Sequence, residues 1–324
     1  MLRSTKSSPY RTIASAGLLM AAAIGFVAIT TKAQAGDPTF TTIDFPGATS
    51  TVGRDVTPSR KAFVGEYNDT AGHHGFLLKK GRFTTIDVPG AMSTDAHGIN
   101  ARGDIVGVYR TPAEHGYLAT RDGFTSFDFP DATGTSAMSI NGRGDIVGAY
   151  CDGTIRPCPV EGHRGFLLSG GKFITVDFPG ASLTQPWKIN SRGDIVGIYL
   201  DTNGHLHGFL LSTGVFSTID VPGAAGTAVF GISPRGDIVG SYCDALPCGV
   251  PIVNQHGFLM SEGEFASFDF PGADGTRAFA INPRGDIAGT FRDPSGRTHG
   301  FLISKEEDGE EDEDSEEDEG KGRH

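Results

Sequence analysis

From residue 40 onward, aromatic and β-branched residues recur in short alternating runs separated by Gly, Pro, Asn and Asp. A period of two bounded by such residues is the pattern of half-buried β-strands. An aromatic-led run opens at Phe40, Phe83, Phe124, Phe173, Phe216 and Phe265, with spacings of 43, 41, 49, 43 and 49 residues. The second repeat shows the plan. A strand over 83–88 is followed by Pro89-Gly90-Ala91 and a polar linker. A strand then ends at Ile99-Asn100, a turn falls at Arg102-Gly103, and strands follow over 104–109 and 115–118. We name these strands D, A, B and C respectively.

Four strands in each 40–50-residue repeat is the pattern of propeller blades, whose small sheets bury their faces only against neighbours. Six repeats predict an all-β, six-bladed β-propeller over 36–304. A β-solenoid is the alternative, although its coils are usually shorter. The chain ends bear on closure. Residues 40–45 are a lone D strand before the first A, and the last repeat stops at its C strand, 299–304. Pairing of these two segments would complete the last blade and remove an exposed edge.

Composition narrows the class. The 47 glycines are about twice the usual share, but no strict three-residue glycine period exists, which excludes collagen. With 38% apolar residues and 22 Phe, the body is not a disordered polymer. The net charge of −12 is unevenly placed. Residues 1–35 hold four bases and no acid, whereas 306–319 hold 12 acids in 14 positions within an expected disordered tail over 305–324. The acidic body argues against a nucleic-acid partner, since binding to phosphates needs a basic surface.

Residues 1–35 read as a signal peptide: a basic start, an apolar stretch over 13–30 and a small-residue site at Ala33-Gln34-Ala35. An uncleaved anchor is the other reading of that stretch. No further span follows, so the expected location is the periplasm or the medium. There, disulfides persist. Two local pairs fit, Cys151 with Cys158 and Cys243 with Cys248, and neither has a histidine at zinc-finger spacing.

His-Gly-Phe-Leu, Ile-Asn-x-x-Gly and Ile-Val-Gly, repeated over nearly all of 40–304, resemble the HAF family of extracellular repeats. The departures are His-Gly-Phe or His-Gly-Tyr in place of His-Ala-Phe, and D strands ending in Asp-x-Pro-Gly-Ala or, once, Asp128-Phe-Pro-Asp-Ala132. The resemblance implies export and tandem repeats. It carries no activity and no catalytic residues.

Several motifs have both a structural and a functional reading. Arg-Gly-Asp occurs five times, at 102–104, 143–145, 192–194, 235–237 and 284–286, always between strands A and B. A hairpin turn with glycine at positive φ explains it better than adhesion. The first repeat reads Ser59-Arg60-Lys61, which predicts an altered turn. His74, His115, His207, His256 and His299 open the C strands, with His163 one residue early in the third repeat. They are expected to be buried, each holding a turn, rather than to converge on the axis. Asp44, Asp87, Asp128, Asp177, Asp220 and Asp269 are expected to cap the following Pro-Gly turns; collective calcium binding is the alternative. Asp201-Thr202-Asn203-Gly204 is a weak calcium-loop echo. No cofactor or metal is therefore expected, with calcium as the alternative. No nucleophile elbow or phosphate loop is present.

Antiparallel order puts the B–C and D–A connections on one face, and that face carries the length variation, where recognition usually sits. Before Ile-Asn, strand A holds Gly98, Ser139, Gly231 or Ala280, but Lys188 in repeat four and Asp55 in repeat one, on opposite sides of a six-fold ring. Trp187, the only tryptophan, adjoins Lys188 and would suit stacking of a sugar or small anion. Its equivalents His97, Met138, Phe230 and Phe279 fit a core position equally well. Candidate ligand residues are Trp187, Lys188, His97, Arg277 and Asp55. The expected function is that of an exported, non-catalytic binding scaffold for a protein, glycan or cell-envelope component. A secreted carbohydrate-active hydrolase or lyase is the alternative. Convergence of titratable residues at the channel mouth would separate the two.

Overall fold

The computed structural model describes residues 38–151, 162–246, 248 and 252–305. The leader expected over 1–35, Cys158 and, apart from Lys305, which ends the last strand, the tail expected over 305–324 lie outside them. Six four-stranded antiparallel sheets form a six-bladed β-propeller. Blade one is β2 (Ser50–Val56), β3 (Ala62–Asn68), β4 (His73–Lys79) and β5 (Arg82–Ile86), which are strands A to D in order. Blades two to five repeat the plan from β6 (Ser93–Ile99), β10 (Thr135–Ile140), β14 (Leu183–Ile189) and β18 (Gly226–Ile232), their innermost strands. Blade six has β22 (Gly275–Ile281), β23 (Ile287–Arg292) and β24 (Thr298–Lys305), and takes β1 (Pro38–Ile43) as its fourth strand. The expected closure is thus present, with Thr39 opposite Ser304, Phe40 opposite Ile303 and Ile43 opposite Gly300.

The C-strand motif supplies the core between blades. Phe76, Tyr117, Phe166, Phe209, Phe258 and Phe301, one from each His-Gly-Phe or its variant, are wholly buried. The Ile-Val-Gly motif has a different cause. A Cβ on Gly65, Gly107, Gly148, Gly197, Gly240 or Gly289 would strike the carbonyl oxygen of the strand-A residue that precedes its register partner, as Val52 precedes Gly53 opposite Gly65, and the ring of the buried aromatic on strand C. Beside this close approach, each strand A carries a β-bulge, which passes over Arg54, His97, Met138, Trp187, Phe230 and Phe279 in the register.

The Arg-Gly-Asp segments are clasps. Asn100 Oδ1 accepts the backbone N–H of Arg102 and of Asp104, and Arg102 Nε donates to Asp104 Oδ2 at 2.8 Å. Arg143 and Arg192 also reach the next blade, donating to Ser191 O and Pro234 O at 2.7 and 2.6 Å. The glycines have φ near +90°, for example +87° at Gly103. In the first repeat Arg60 itself adopts positive φ, the altered turn expected there.

Two expectations for the outer strands need correction. His74, His115, His207, His256 and His299 are half-buried, and each places Nδ1 2.9–3.0 Å from the D-strand aspartate of its own blade: Asp87, Asp128, Asp220, Asp269 and, across the closing seam, Asp44. In blade three, Arg164 meets Asp177 at 3.4 Å instead. The aspartates therefore serve histidines, not turns. The N–H after each aspartate donates instead to a buried threonine of the next strand A, as Val88 does to Thr94 and Val221 to Thr227, because that threonine lies inside the closed ring. Asp201 spends its carboxylate on its own turn, accepting from the N–H groups of Asn203 and His205 at 2.8 Å.

Thr227→Val should leave the Val221 N–H buried and unpaired and destabilise the protein by about 1–3 kcal/mol. Thr84→Val, on an exposed D-strand position, should stay within about 0.5 kcal/mol. Urea denaturation of both variants checks this.

Candidate functional site

The bulge decides what faces the axis. An extra residue in one strand re-aims a side chain, and the six bulged residues form the middle ring of the channel. On one side of this ring, Trp187 packs against Phe230 with ring centroids 4.9 Å apart, and Phe230 against Phe279 at the same distance. The Arg54 guanidinium lies 4.7 Å from the centre of the Phe279 ring and 5.8 Å from that of Trp187. Trp187 is therefore part of an axial aromatic cluster rather than of a core between two blades, and its buried indole N–H has no hydrogen-bond partner among the described residues.

Below this ring, Lys188 Nζ meets Asp55 Oδ1 at 2.5 Å, joining opposite blades across the axis. Asp55 also accepts the N–H of Val56 at 2.8 Å and of Ile99 at 2.9 Å. This pair is a structural plug; neither residue lines the mouth.

Above the ring, on the face of the B–C and D–A connections, a cup of about 350 Å³ opens between blades one to four. Its floor includes Trp187, Met138 and His97, and its wall carries Arg54, Glu66, His73, Asp95, Arg110 and Glu114. Glu66 is 6% exposed, and its Oε1 accepts from Arg54 Nη2 at 2.6 Å. Burial opposes its ionisation, but the charges of Arg54 and His97 outweigh that, so its pKa stays below the usual carboxylate range. Asp95 is 5% exposed. Its Oδ2 accepts from Arg110 Nη1 at 2.8 Å, and its Oδ1 abuts His73 Nε2. Burial and Glu66 raise the Asp95 pKa, but the neighbouring imidazoles prevail and lower it. Contact with Asp95 raises that of His73 against the cost of burial. One ligand atom each from Glu66, His73 and Asp95 lies within 4.8 Å of the others.

Of the expected ligand residues, Trp187 and His97 line the cup. Arg277 lies instead in an adjoining pocket of about 370 Å³ with Arg54 and Arg292, where burial first and Arg54 second lower its pKa to about 10. Asp55 and Lys188 lie beneath. Sequence reasoning missed Glu66, His73, Asp95 and Arg54. A signal was present: Glu66 stands where other B strands have Val108, Ala149, Ile198, Ser241 or Thr290, and Asp95 where other A strands have Val52, Ser136, Gln185, Ala228 or Arg277.

On the same face, Cys243 is bonded to Cys248 with a Cα–Cα distance of 5.8 Å. Cys151 is also disulfide-bonded, while its expected partner Cys158 falls outside the described residues. Among the described residues, no helix is long and apolar enough to cross a membrane.

Lys188→Ala leaves Asp55 buried without its cation and should cost about 3 kcal/mol. Combining Lys188→Met with Asp55→Asn should restore much of that loss, as read in a double-mutant cycle by urea denaturation.

No protein-family model and no curated protein matches the chain. Solved structures do. A putative TolB from Agrobacterium tumefaciens is similar at TM-score 0.54 and 16% identity, over 80% of this chain and 91% of that one. A mutant of AofleA from Arthrobotrys oligospora is similar at TM-score 0.51 and 12% identity, over 84% and 90%. A mutant Aleuria aurantia lectin in complex with Fucalpha1-6GlcNAc is similar at TM-score 0.50 and 10% identity, over 80% and 95%. At these identities the likeness is one of propeller fold.

Proposed function

We propose that this chain is an exported binding protein whose channel-mouth cup takes a polar, hydroxyl-rich ligand of the cell-envelope or glycan class. The observation that carries the reading is the cup itself. The Trp187 ring in its floor and the Arg54 guanidinium, which also covers Phe279 of the adjoining pocket, meet a wall of fixed donors and acceptors, and the Lys188–Asp55 pair closes the channel below. Apolar sugar faces stack on aromatic rings while their hydroxyls need oriented hydrogen-bond partners, and this cup presents both. The disulfide Cys243–Cys248 is in keeping with an oxidising compartment. The signal-peptide pattern of 1–35 and the HAF-type repeats support export.

A second reading, a hydrolase or lyase acting in the same cup, is favoured by one observation: Glu66, His73, Asp95 and His97 converge there. This is the feature expected to distinguish an enzyme from a scaffold. Incubation with glycans followed by product analysis separates the two readings.

Trp187 is the only tryptophan of the chain, so its emission reports on the cup directly. Titration with a panel of cell-envelope saccharides should shift or quench that emission for the true ligand. The same ligand at 100 times its dissociation constant should stabilise the fold by about 2.7 kcal/mol in a thermal-shift series. Trp187→Leu should weaken binding at least about tenfold, or 1.4 kcal/mol. A saccharide that raises the melting temperature without changing Trp187 emission, and whose binding survives Trp187→Leu, would move the site out of the cup.

A further inference from the structure

Two of the three imidazoles that line the cup, His73 and His97, share an arrangement. His97 Nδ1 lies 3.0 Å from the backbone oxygen of Ala137, which can only accept, so Nδ1 carries the proton and Nε2 points to Glu66 Oε2 at 3.6 Å. His73 Nδ1 lies 2.8 Å from the side-chain oxygen of Asn68, whose amide nitrogen donates to Ser50 Oγ. Its Nε2 in turn faces Asp95 Oδ1. In the neutral ring, each Nε2 is a lone pair aimed at a carboxylate oxygen.

Each carboxylate is divided in the same way. Glu66 gives Oε1 to Arg54 at 2.6 Å, while its Oε2 has only the longer 3.3 Å approach of Arg54 Nε. Asp95 gives Oδ2 to Arg110, and its buried Oδ1 faces His73 Nε2 alone among the described residues. His73 Nε2 and one oxygen each of Glu66 and Asp95 thus lie within 4.8 Å of one another, with His97 Nε2 adjoining Glu66 Oε2 at 3.6 Å, and each ligand residue is held from behind by another group. Polar partners behind metal ligands orient them in this manner.

We infer that His73, His97, Glu66 and Asp95 form a binding site for one divalent transition-metal ion of the zinc type. Nitrogen and oxygen ligands at about 2.0–2.2 Å in a tetrahedron stand about 3.4 Å from one another. The ligand atoms of Glu66, His73 and Asp95, already within 4.8 Å, therefore need only a modest adjustment, in which His73 and Asp95 part to admit the ion and Glu66 and His97 draw in. The electrostatics allow a dication. With neutral imidazoles, the carboxylates of Glu66, Asp95 and Glu114 outnumber the guanidiniums of Arg54 and Arg110. Arg110 is also tied to Glu114 at 2.9 Å, so that it holds Asp95 from outside the ligand set. Imidazole selects zinc, nickel or cobalt over calcium, which prefers six to eight oxygens. The inference deepens the reading of the cup as a ligand site, placing an ion in its wall beside the Trp187 ring. It is tested without any saccharide, so either can fail alone.

The test uses the full chain, freed of metal with a chelator, and titrates Zn2+, Co2+ and Ca2+ separately by calorimetry. One equivalent of Zn2+ should bind to the wild type and be weakened at least about 100-fold in the His73→Ala, His97→Ala double variant. Weaker binding to exposed acids should be common to both proteins. Asn68→Ala, which only frees the outer nitrogen of His73, should weaken the site about 10–100-fold. Should the double variant not fold, the Co2+ complex of the wild type decides, since nitrogen ligation in a four- or five-coordinate site gives visible bands stronger than those of aqueous Co2+. Equal Zn2+ binding by wild type and variant, Ca2+ binding as tight as Zn2+, or a Co2+ spectrum like the aqueous ion would each overturn the inference. The cluster would then be a pair of protonated imidazoles in ion pairs.

Discussion

The close approach of a strand-A carbonyl to the side-chainless position of strand B sets the bulge, and the bulge sets what the channel contains. Gly65, Gly107, Gly148, Gly197, Gly240 and Gly289 leave room that no Cβ could share with that oxygen and with the buried aromatic of strand C. With strand A drawn in, one residue per blade turns to the axis. Because this is a backbone device, it is indifferent to which side chain is presented. Six nearly identical blades therefore carry Arg54, His97, Met138, Trp187, Phe230 and Phe279 to one ring, and the identity of those residues is free to serve something other than folding.

The polar interactions divide along the same line. Those that recur in the blades build the frame: the asparagine and arginine clasps of the A–B turns, the buried threonines that receive the N–H after each D-strand aspartate, and the half-buried histidine and aspartate pairs. Those that occur once are concentrated at the axis. The Lys188–Asp55 pair spans the channel, and Glu66, Asp95, His73 and Arg110 stand together at its mouth. Burying so many ionisable groups costs desolvation energy that well-packed apolar residues would not. The other blades show that the fold accepts valine, alanine or isoleucine at the equivalent of Glu66. The cluster is thus an expense that the frame does not require, and this is why a functional role is assigned to it.

Much of the frame was legible in the sequence, and the reason is repetition. The strand pattern, the turn glycines, the altered turn at Arg60 and the completion of blade six by residues 38–43 all follow from local alternation and from counting strands. The opposition of Lys188 and Asp55 was legible too, because a closed six-fold ring fixes which repeats face each other. The histidine and aspartate pairs were less so. Both residues were visible, thirteen positions apart in most repeats, but each was assigned to the turn nearest in sequence. In fact strands C and D put them side by side, and the turn N–H groups had a threonine of the next blade available instead.

The sequence by itself determined the number of blades, the faces of the sheets and the order of residues along each inner strand, because these depend on contacts within one repeat or between adjacent repeats. Only the tertiary structure decided that Glu66 from a B strand, His73 from a C strand, and Asp95 and His97 from the next A strand share one cup. These residues occupy different register positions in two repeats, so no period connects them. What brings them together is the curvature of the closed ring and the bulge that turns His97 inward, and both arise from backbone packing rather than from any pattern in the side chains concerned.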